Sequence, residues 1–500
     1  MKKMNLLVMS LVSAAALSFS SCSNNDDLGG GAGTQSQVKG FYMTLAVQTP
    51  TSNGTRTSIE NPIPTEDATA VEAAVKTGTF YLVDSKGTVV FSKTLTAQDW
   101  SGAVKDQADS KKDGKTTLQI QVENVAAGAT YKVYFKAGST AMDGVTEPVA
   151  AGTTGIFTAT GIEKTFTAAA AFDKTCAGDN NFSMFNQNDE TTNGNGYTVQ
   201  FTDDNKVAAT PAKVKYNNAE SAIKIERVTA RVDVPTSATT LTTEELPSTA
   251  SQALKNAVAD AKKKVSKIEL VQYALSNVTN KTYVMQTWID KNLTIPGDVT
   301  LSQPKTAFGT KYLLDATCFK PLATATNDYI FENNKAGEEA TAMYFQYHVT
   351  LDGTKFEGTA DFEDGTFYRY NNVIYTSFAQ IYKAYADVAG LFGGKTAEEM
   401  KTAAKTASAT EADLAAFREK YQIEVFKGGM TYYKQVITDN QLSKNVIQRN
   451  TIYRLNVNKI FNVGAQVPNG EIDKNGLFYL DVTVTVNPWV LNVQNVELGD

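Results

Sequence analysis

The chain has 500 residues, 42% of them hydrophobic, with one histidine, three cysteines and a formal net charge of -6; without Lys2 and Lys3 in the first 21 residues the charge is -8. At roughly 150 residues per domain this predicts two to four domains, and the acidic balance argues against a nucleic-acid partner. Three cysteines cannot build a disulfide framework or a multi-cysteine metal site, and one histidine leaves little for a histidine-based one, so no metal or cofactor is expected.

Lys2 and Lys3 precede an apolar stretch, Leu6 to Phe19, and the sequence continues Ser20-Ser21-Cys22. A basic start, a short apolar core and small residues before a break describe a secretory signal over residues 1–21, too short to span a membrane as a helix. A cysteine directly after it marks a bacterial lipoprotein site, with acylated Cys22 anchoring the chain; the alternative is an ordinary signal with Cys22 in the tail. Residues 23–37 are a polar leash without apolar periodicity. Gly40 to Val47 then reads as a strand, with Phe41, Met43, Ala46 and Val47 apolar. Behind it lies a polar loop carrying Arg56, the only arginine before Arg227. It is either a protease target or a surface arginine without a role.

Regular strands follow at Thr79–Val83, Val89–Phe91, Thr117–Val122 and Thr130–Phe135, while Val71–Lys76 reads equally as a helical turn or a strand. Asn181–Asn188 places Phe182, Met184 or Phe185 inward. Residues 38 to about 210 form one β-sandwich domain in this reading, with a polar boundary near Asp203–Lys213. Ala222–Val234 changes its two-residue register once, at Glu226–Arg227, which predicts a bulge. A helix is expected over Glu244–Lys264, with Pro247 near its start.

Val265–Asn277 and Thr341–Leu351 read as strands, and Glu363-Asp364-Gly365 as a hairpin turn. Two alanine-rich helices are expected over Tyr375–Leu391 and Thr396–Tyr421, and β structure resumes from Gly428 to Ile460. In the tail, Phe478, Leu480, Val482, Val484 and Val486 alternate with Tyr479, Asp481, Thr483 and Thr485, the period of a strand with one buried face. Asn487-Pro488 is expected to interrupt it before a second extended run, Trp489 to Val496. So apolar a tail needs a partner, either its own sheet or the open edge of another molecule.

Catalytic chemistry finds little support. His348 lies in a strand with no serine or cysteine motif beside it. Cys176 and Cys318 are either bonded or free, buried thiols, and Glu363 with Asp364 is explained by a turn. No glycine-rich phosphate loop follows a strand. No catalytic residue is assigned, and no enzyme is expected.

Six stretches together resemble a known family: the lipoprotein start at Cys22, Ile225–Asp233, Tyr329–Asn333, Gly429–Lys434, Val446–Asn450 with Tyr453, and Val484–Trp489 with Val496–Leu498. In order and spacing the chain resembles the Bacteroidota fimbrillins, closest to the minor-fimbria shaft subunits. The resemblance implies a mainly β fold of two tandem transthyretin-like β-sandwich domains, residues 57–210 and 211–486, the second with a helical insertion. It implies lipidation at Cys22 and cutting of the Arg56–Thr57 bond by an arginine-specific protease. Within residues 22–56, the strand bearing Phe41, Met43, Leu45 and Val47 would be removed. A donor within residues 487–500, with Trp489, Leu491, Val493, Val496 and Leu498, would fill the vacated groove of a neighbour.

The implied product is a head-to-tail filament of this chain, with anchor and tip proteins as further partners. It would be exported to the outer membrane as a lipoprotein and displayed as a surface fimbrium supporting adhesion to a host or bacterial ligand. The alternative is a non-polymerising outer-membrane lipoprotein that binds a glycan or protein, or an accessory or tip protein of the same system.

Overall fold

The computed structural model describes residues 40–48, 66–68, 72, 75–101, 104–105, 115–168, 176–177, 182–188, 194–246, 248–290, 292–302, 305–308, 311–314, 316–439, 442, 444–468 and 480–491. The result is a mainly β, multi-sheet fold with a helical region towards the C-terminus. The N-terminal part supplies β1 (Phe41–Gln48), β2 (Glu66–Ala68), β3 (Gly78–Val83), β4 (Val89–Leu95), β5 (Lys115–Val122), β6 (Thr130–Ala137), β7 (Met184–Asn186), β8 (Tyr197–Gln200) and β9 (Ile223–Arg227). All but β2 belong to one 12-stranded sheet containing the order β8-β6-β7-β9-β1-β5, with β3 paired to both β4 and β6.

The central strands of this sheet are apolar on both faces because both faces are covered. Phe80, Leu82, Val133 and Phe135 enter a first core shared with β1, β5 and β9. Their neighbours Tyr81, Val83 and Tyr134 point the other way, into a second cluster with Phe185, Val284, Met285 and Phe331. That cluster joins residues far apart in the chain. Thr165–Thr167 pairs there with Lys281–Tyr283 as a two-stranded sheet.

The C-terminal part supplies β10 (Ala230–Val232), α1 (Gln252–Lys264), β11 (Val265–Ser276), β12 (Asp328–Ile330), β13 (Ala342–Leu351), β14 (Phe367–Tyr370), β15 (Val373–Tyr375), α2 (Phe378–Ala384), α3 (Ala397–Ala407), α4 (Glu411–Tyr421), β16 (Ile423–Phe426), β17 (Met430–Val436), β18 (Thr451–Ile460) and β19 (Leu480–Leu491). One sheet runs β2-β19-β18-β10-β12, and another contains β11-β13-β17. Both feed one core, with Val232, Leu455 and Val457 from the first and Ile268, Phe345 and Tyr347 from the second. The helices α2 to α4 form a separate apolar cluster with Tyr368, Ile423 and Val425 of the three-stranded sheet β15-β14-β16.

Several sequence expectations are corrected. The register change near Glu226–Arg227 is a change of sheet rather than a bulge: β9 ends at Arg227, Val228 and Thr229 bend, and β10 joins a different sheet. Ala212–Lys213 and β9 both pair with β1 in the first sheet. Helix α1 starts at Gln252, where Ser251 accepts a hydrogen bond from the Leu254 amide at 3.2 Å; Pro247 lies outside the described residues.

The second alanine-rich helix is two helices, because the Thr410 hydroxyl accepts from the Asp413 amide at 3.1 Å and opens a new one there. The first shrinks to α2. The hairpin turn sits at Asn371–Asn372, whose φ values of 48° and 65° are those a two-residue turn requires. Finally, β19 passes straight through Pro488. Proline is tolerated at a strand edge, and among the described residues pairing with β2 begins one residue later, at Trp489.

Candidate assembly site

Strand β1 is the element on which the site turns. Phe41, Met43, Leu45 and Val47 all point into the first core, with Met43 at 0% and Leu45 at 1% exposure, while Tyr42, Thr44 and Gln48 on the other face are half-buried. Phe41 packs edge-on against Phe201 at 5.5 Å between ring centroids, and the Lys206 ammonium lies 5.5 Å from its own ring centre. Along its whole length β1 pairs antiparallel with β5, from Phe41 opposite Val122 to Gln48 opposite Lys115. Its other edge pairs in parallel with two separate segments: Met43 opposite Ala212, and Val47 opposite Ile223.

Among the described residues, β1 is the element that joins β5 to the rest of the sheet. Each buried side chain contributes about 1.5–3 kcal/mol. Taking β1 away would open an apolar trough floored by the first core and flanked by two rows of unpaired backbone groups, a costly state that favours any replacement strand.

The C-terminal strand has a different situation. β19 pairs antiparallel with β18, from Leu480 opposite Ile460 to Pro488 opposite Thr451. Its far end, Trp489 to Leu491, pairs in parallel with Glu66 to Ala68 of β2. In this molecule, therefore, the backbone of Trp489 and Leu491 is docked on its own sheet. Val493, Val496 and Leu498 lie outside the described residues, as do Cys22, Arg56 and Thr57.

A buried polar junction, which the sequence reading did not single out, links these parts. Glu72 is 2% exposed. Arg231 of β10 donates from Nη1 to both of its carboxylate oxygens, at 3.1 and 3.0 Å, and the Tyr329 hydroxyl of β12 donates to one of them at 2.8 Å. Arg231 also meets Asp233 at 2.6 Å, and Asp233 in turn meets Arg454 of β18 at 2.6 Å. Arg227, fully buried, donates to the Glu72 backbone carbonyl at 3.0 Å and to Asn450 at 3.0 Å. Burial pulls the Arg227 guanidinium below its ordinary range, and the Glu72 charge works against that.

A second buried pair, Arg449 and Glu332, meets at 2.8 Å. Thr282 and Gln286 also donate to Glu332, and Arg449 donates to the carbonyls of Tyr283 and Val284. Removing either partner of such a pair leaves a buried charge without compensation. Three stretches on which the family resemblance rests, 225–233, 329–333 and 446–450, thus converge in these two networks. The signal available in sequence was two adjacent charges, Glu226 and Arg227, within an apolar strand run: successive side chains point to opposite faces, so one of the two must face the interior.

His348 is half-buried on β13, opposite Glu269 and Met430. Cys176 and Cys318 are not disulfide-bonded to each other, and Cys176 is buried.

Residues 424–495, from β16 through β19, match the family model described as "Major fimbrial subunit protein type IV, Fimbrillin, C-terminal". A search of curated proteins finds no match. Among solved structures, the chain is similar to a proposed cell adhesion protein from Parabacteroides distasonis, at 12% identity and a TM-score of 0.43, over 91% of this chain and 98% of that one. It is likewise similar to a fimbrilin from Porphyromonas gingivalis, at 13% identity and a TM-score of 0.43, over 90% and 98%. A third similarity is to a fimbrial assembly protein from Parabacteroides distasonis, at 9% identity and a TM-score of 0.30, over 63% and 82%. These are distant likenesses.

Proposed function

We propose that this chain is a fimbrillin, a structural subunit of a bacterial fimbrium rather than an enzyme, assembled by protease-activated strand exchange between copies. The observation that carries this reading is β1. It fills an apolar groove with four buried side chains, yet it is the first described strand, and Arg56 follows it in the chain. The family match over residues 424–495 supports the same class. The two cores are read as tandem transthyretin-like β-sandwich domains, with α2 to α4 as the helical insertion of the second.

In this mechanism the chain is exported as a lipoprotein on Cys22, and an arginine-specific protease cuts the Arg56–Thr57 bond. Cutting separates β1 and the lipid anchor from the body of the subunit. The groove then accepts the C-terminal segment of another copy, within residues 487–500, by adding a strand with alternate side chains entering pockets. Trp489, Leu491, Val493, Val496 and Leu498 would supply those side chains. The contact joins two different surfaces and does not close on itself, so it yields a filament. Anchor and tip proteins, and a surface ligand for adhesion, are the further partners this role calls for.

The test is protease treatment of the form that starts at Ser23, followed by electron microscopy and N-terminal sequencing. Filaments whose subunits begin at Thr57 are the expected result. Monomers after complete removal of β1 would overturn the reading.

A further inference from the structure

Strand β2 and Glu72 lie on the C-terminal side of Arg56, so cutting there leaves both on the body of the subunit. Both are bound to the sheet that carries the C-terminal strand. β2 pairs with the last three residues of β19, next to residues 492–500. Four residues beyond Ala68, Glu72 is held by Arg231 of β10, Tyr329 of β12 and Arg227 of β9. In the sheet order β2-β19-β18-β10-β12, the paired edge and the carboxylate anchor stand on opposite sides of β19 and β18.

A parallel pairing three residues long is weak by itself. An anchor only four residues away changes that. Those four residues span at most about 14 Å, so β2 stays near the β19 edge for as long as Glu72 remains bound. A short tether of this kind keeps the effective concentration of β2 at the β19 edge high, so each opening is followed by rapid closing.

We propose that β2, anchored through Glu72, is a clasp that holds the C-terminal strand on its own molecule and slows its release to another copy. This deepens the strand-exchange reading and rests on it for its consequence, though not for its detection. The molecule then has two locks. Proteolysis opens the acceptor groove by freeing β1, while the donor stays closed until β2 lets go. A freshly cut subunit is thereby kept from exposing groove and donor at once, which would favour disordered association.

The experiment uses the uncut form starting at Ser23 and its Asp67→Pro and Glu72→Gln variants. Proline at 67 removes one backbone donor from β2 without touching the buried junction, and Glu72→Gln weakens the anchor while keeping its shape. Hydrogen–deuterium exchange of the amides in 489–491 is expected to rise at least about tenfold in Asp67→Pro and less in Glu72→Gln, with amides 480–487 far less affected. Exchange at 489–491 unchanged in Asp67→Pro would overturn the clasp, whatever Glu72→Gln does to stability.

The same proteins are then cut at Arg56. Filament growth at least about tenfold faster for Asp67→Pro is the expected result; equal growth would overturn the clasp as a brake. If the wild type forms no filaments at all while exchange still rises in Asp67→Pro, the strand-exchange reading fails and the clasp on β19 stands.

Discussion

The carboxylate of Glu72 lies 3.0 Å from the Arg231 guanidinium with both side chains out of water, joining a residue from the N-terminal part of the chain to a strand that borders β18. Tyr329, Asp233 and Arg454 extend the contact across three strands of one sheet. Buried ion pairs seldom add net stability over a well-packed apolar alternative, but breaking one by removing a single partner is costly.

Glu72→Ala is therefore expected to lose about 3–5 kcal/mol in urea unfolding, and Arg231→Met a similar amount. The double variant should lose markedly less than the sum, because neither member of this pair is left buried without the other. A double-mutant cycle measured by denaturation checks this. Strict additivity would mean that the pair does not form.

Along β1 the two faces should respond differently. Leu45→Ala removes a core side chain and is expected to cost about 2–5 kcal/mol, whereas half-buried Thr44→Ala should stay within about 1 kcal/mol. Unfolding midpoints of the uncut protein give both values. After cutting at Arg56 the Leu45→Ala penalty should vanish, since β1 is no longer part of the body.

A chain ending at Leu491 keeps β19 and loses residues 492–500. It should fold as a monomer and, once cut, fail to polymerise by itself. Mixed with the full-length protein, it should shorten filaments in proportion to its share, because it offers a groove but no complete donor. Electron microscopy at several mixing ratios reads this directly.

Alkaline pH should destabilise the fold. Burial raises the phenols of Tyr81, Tyr134 and Tyr368, with Glu147 adding to the effect at Tyr81 and Asp361 at Tyr368, and burial pushes the Cys176 thiol up to about 12. A raised folded value means that the unfolded chain releases its protons first. The stability these groups contribute is complete below their unfolded values, about 8.5 for the thiol and about 10 for the phenols, and is lost as pH rises above them. Urea midpoints from about pH 8 to about pH 11, with tyrosinate absorbance followed in parallel, should show stability falling while the phenols of the folded protein remain un-ionised. Alkylation of Cys176 should be slow until the protein unfolds.

Local pattern was enough to determine the individual elements wherever the pattern was local. The alternation in 117–122 and the short apolar runs in 40–47, 79–83 and 130–135 predict strands within a residue or two of those observed, because such patterns need only neighbours to be read. Composition alone extends a helix back over 244–251 and across 408–410, but side-chain caps at Ser251 and Thr410 decide where the helices start. Pro488 reads locally as a stop, yet β19 runs through it because only the placement of β2 decides where the strand's outer side is paired.

What the tertiary structure alone decided is pairing at a distance. Nothing in 222–234 announces that β9 and β10 belong to different sheets. Likewise, Glu72, Arg227, Arg231, Tyr329, Arg449 and Glu332 stand out little as single residues. They become a junction because charges buried in strand interiors must find partners, and those partners are up to 257 residues apart, as with Glu72 and Tyr329. The sequence by itself carried the period of each strand and the composition of the tail. The fold decided which strand fills a groove and which is held at an edge, because that depends on backbone pairing, which leaves no mark on residue type.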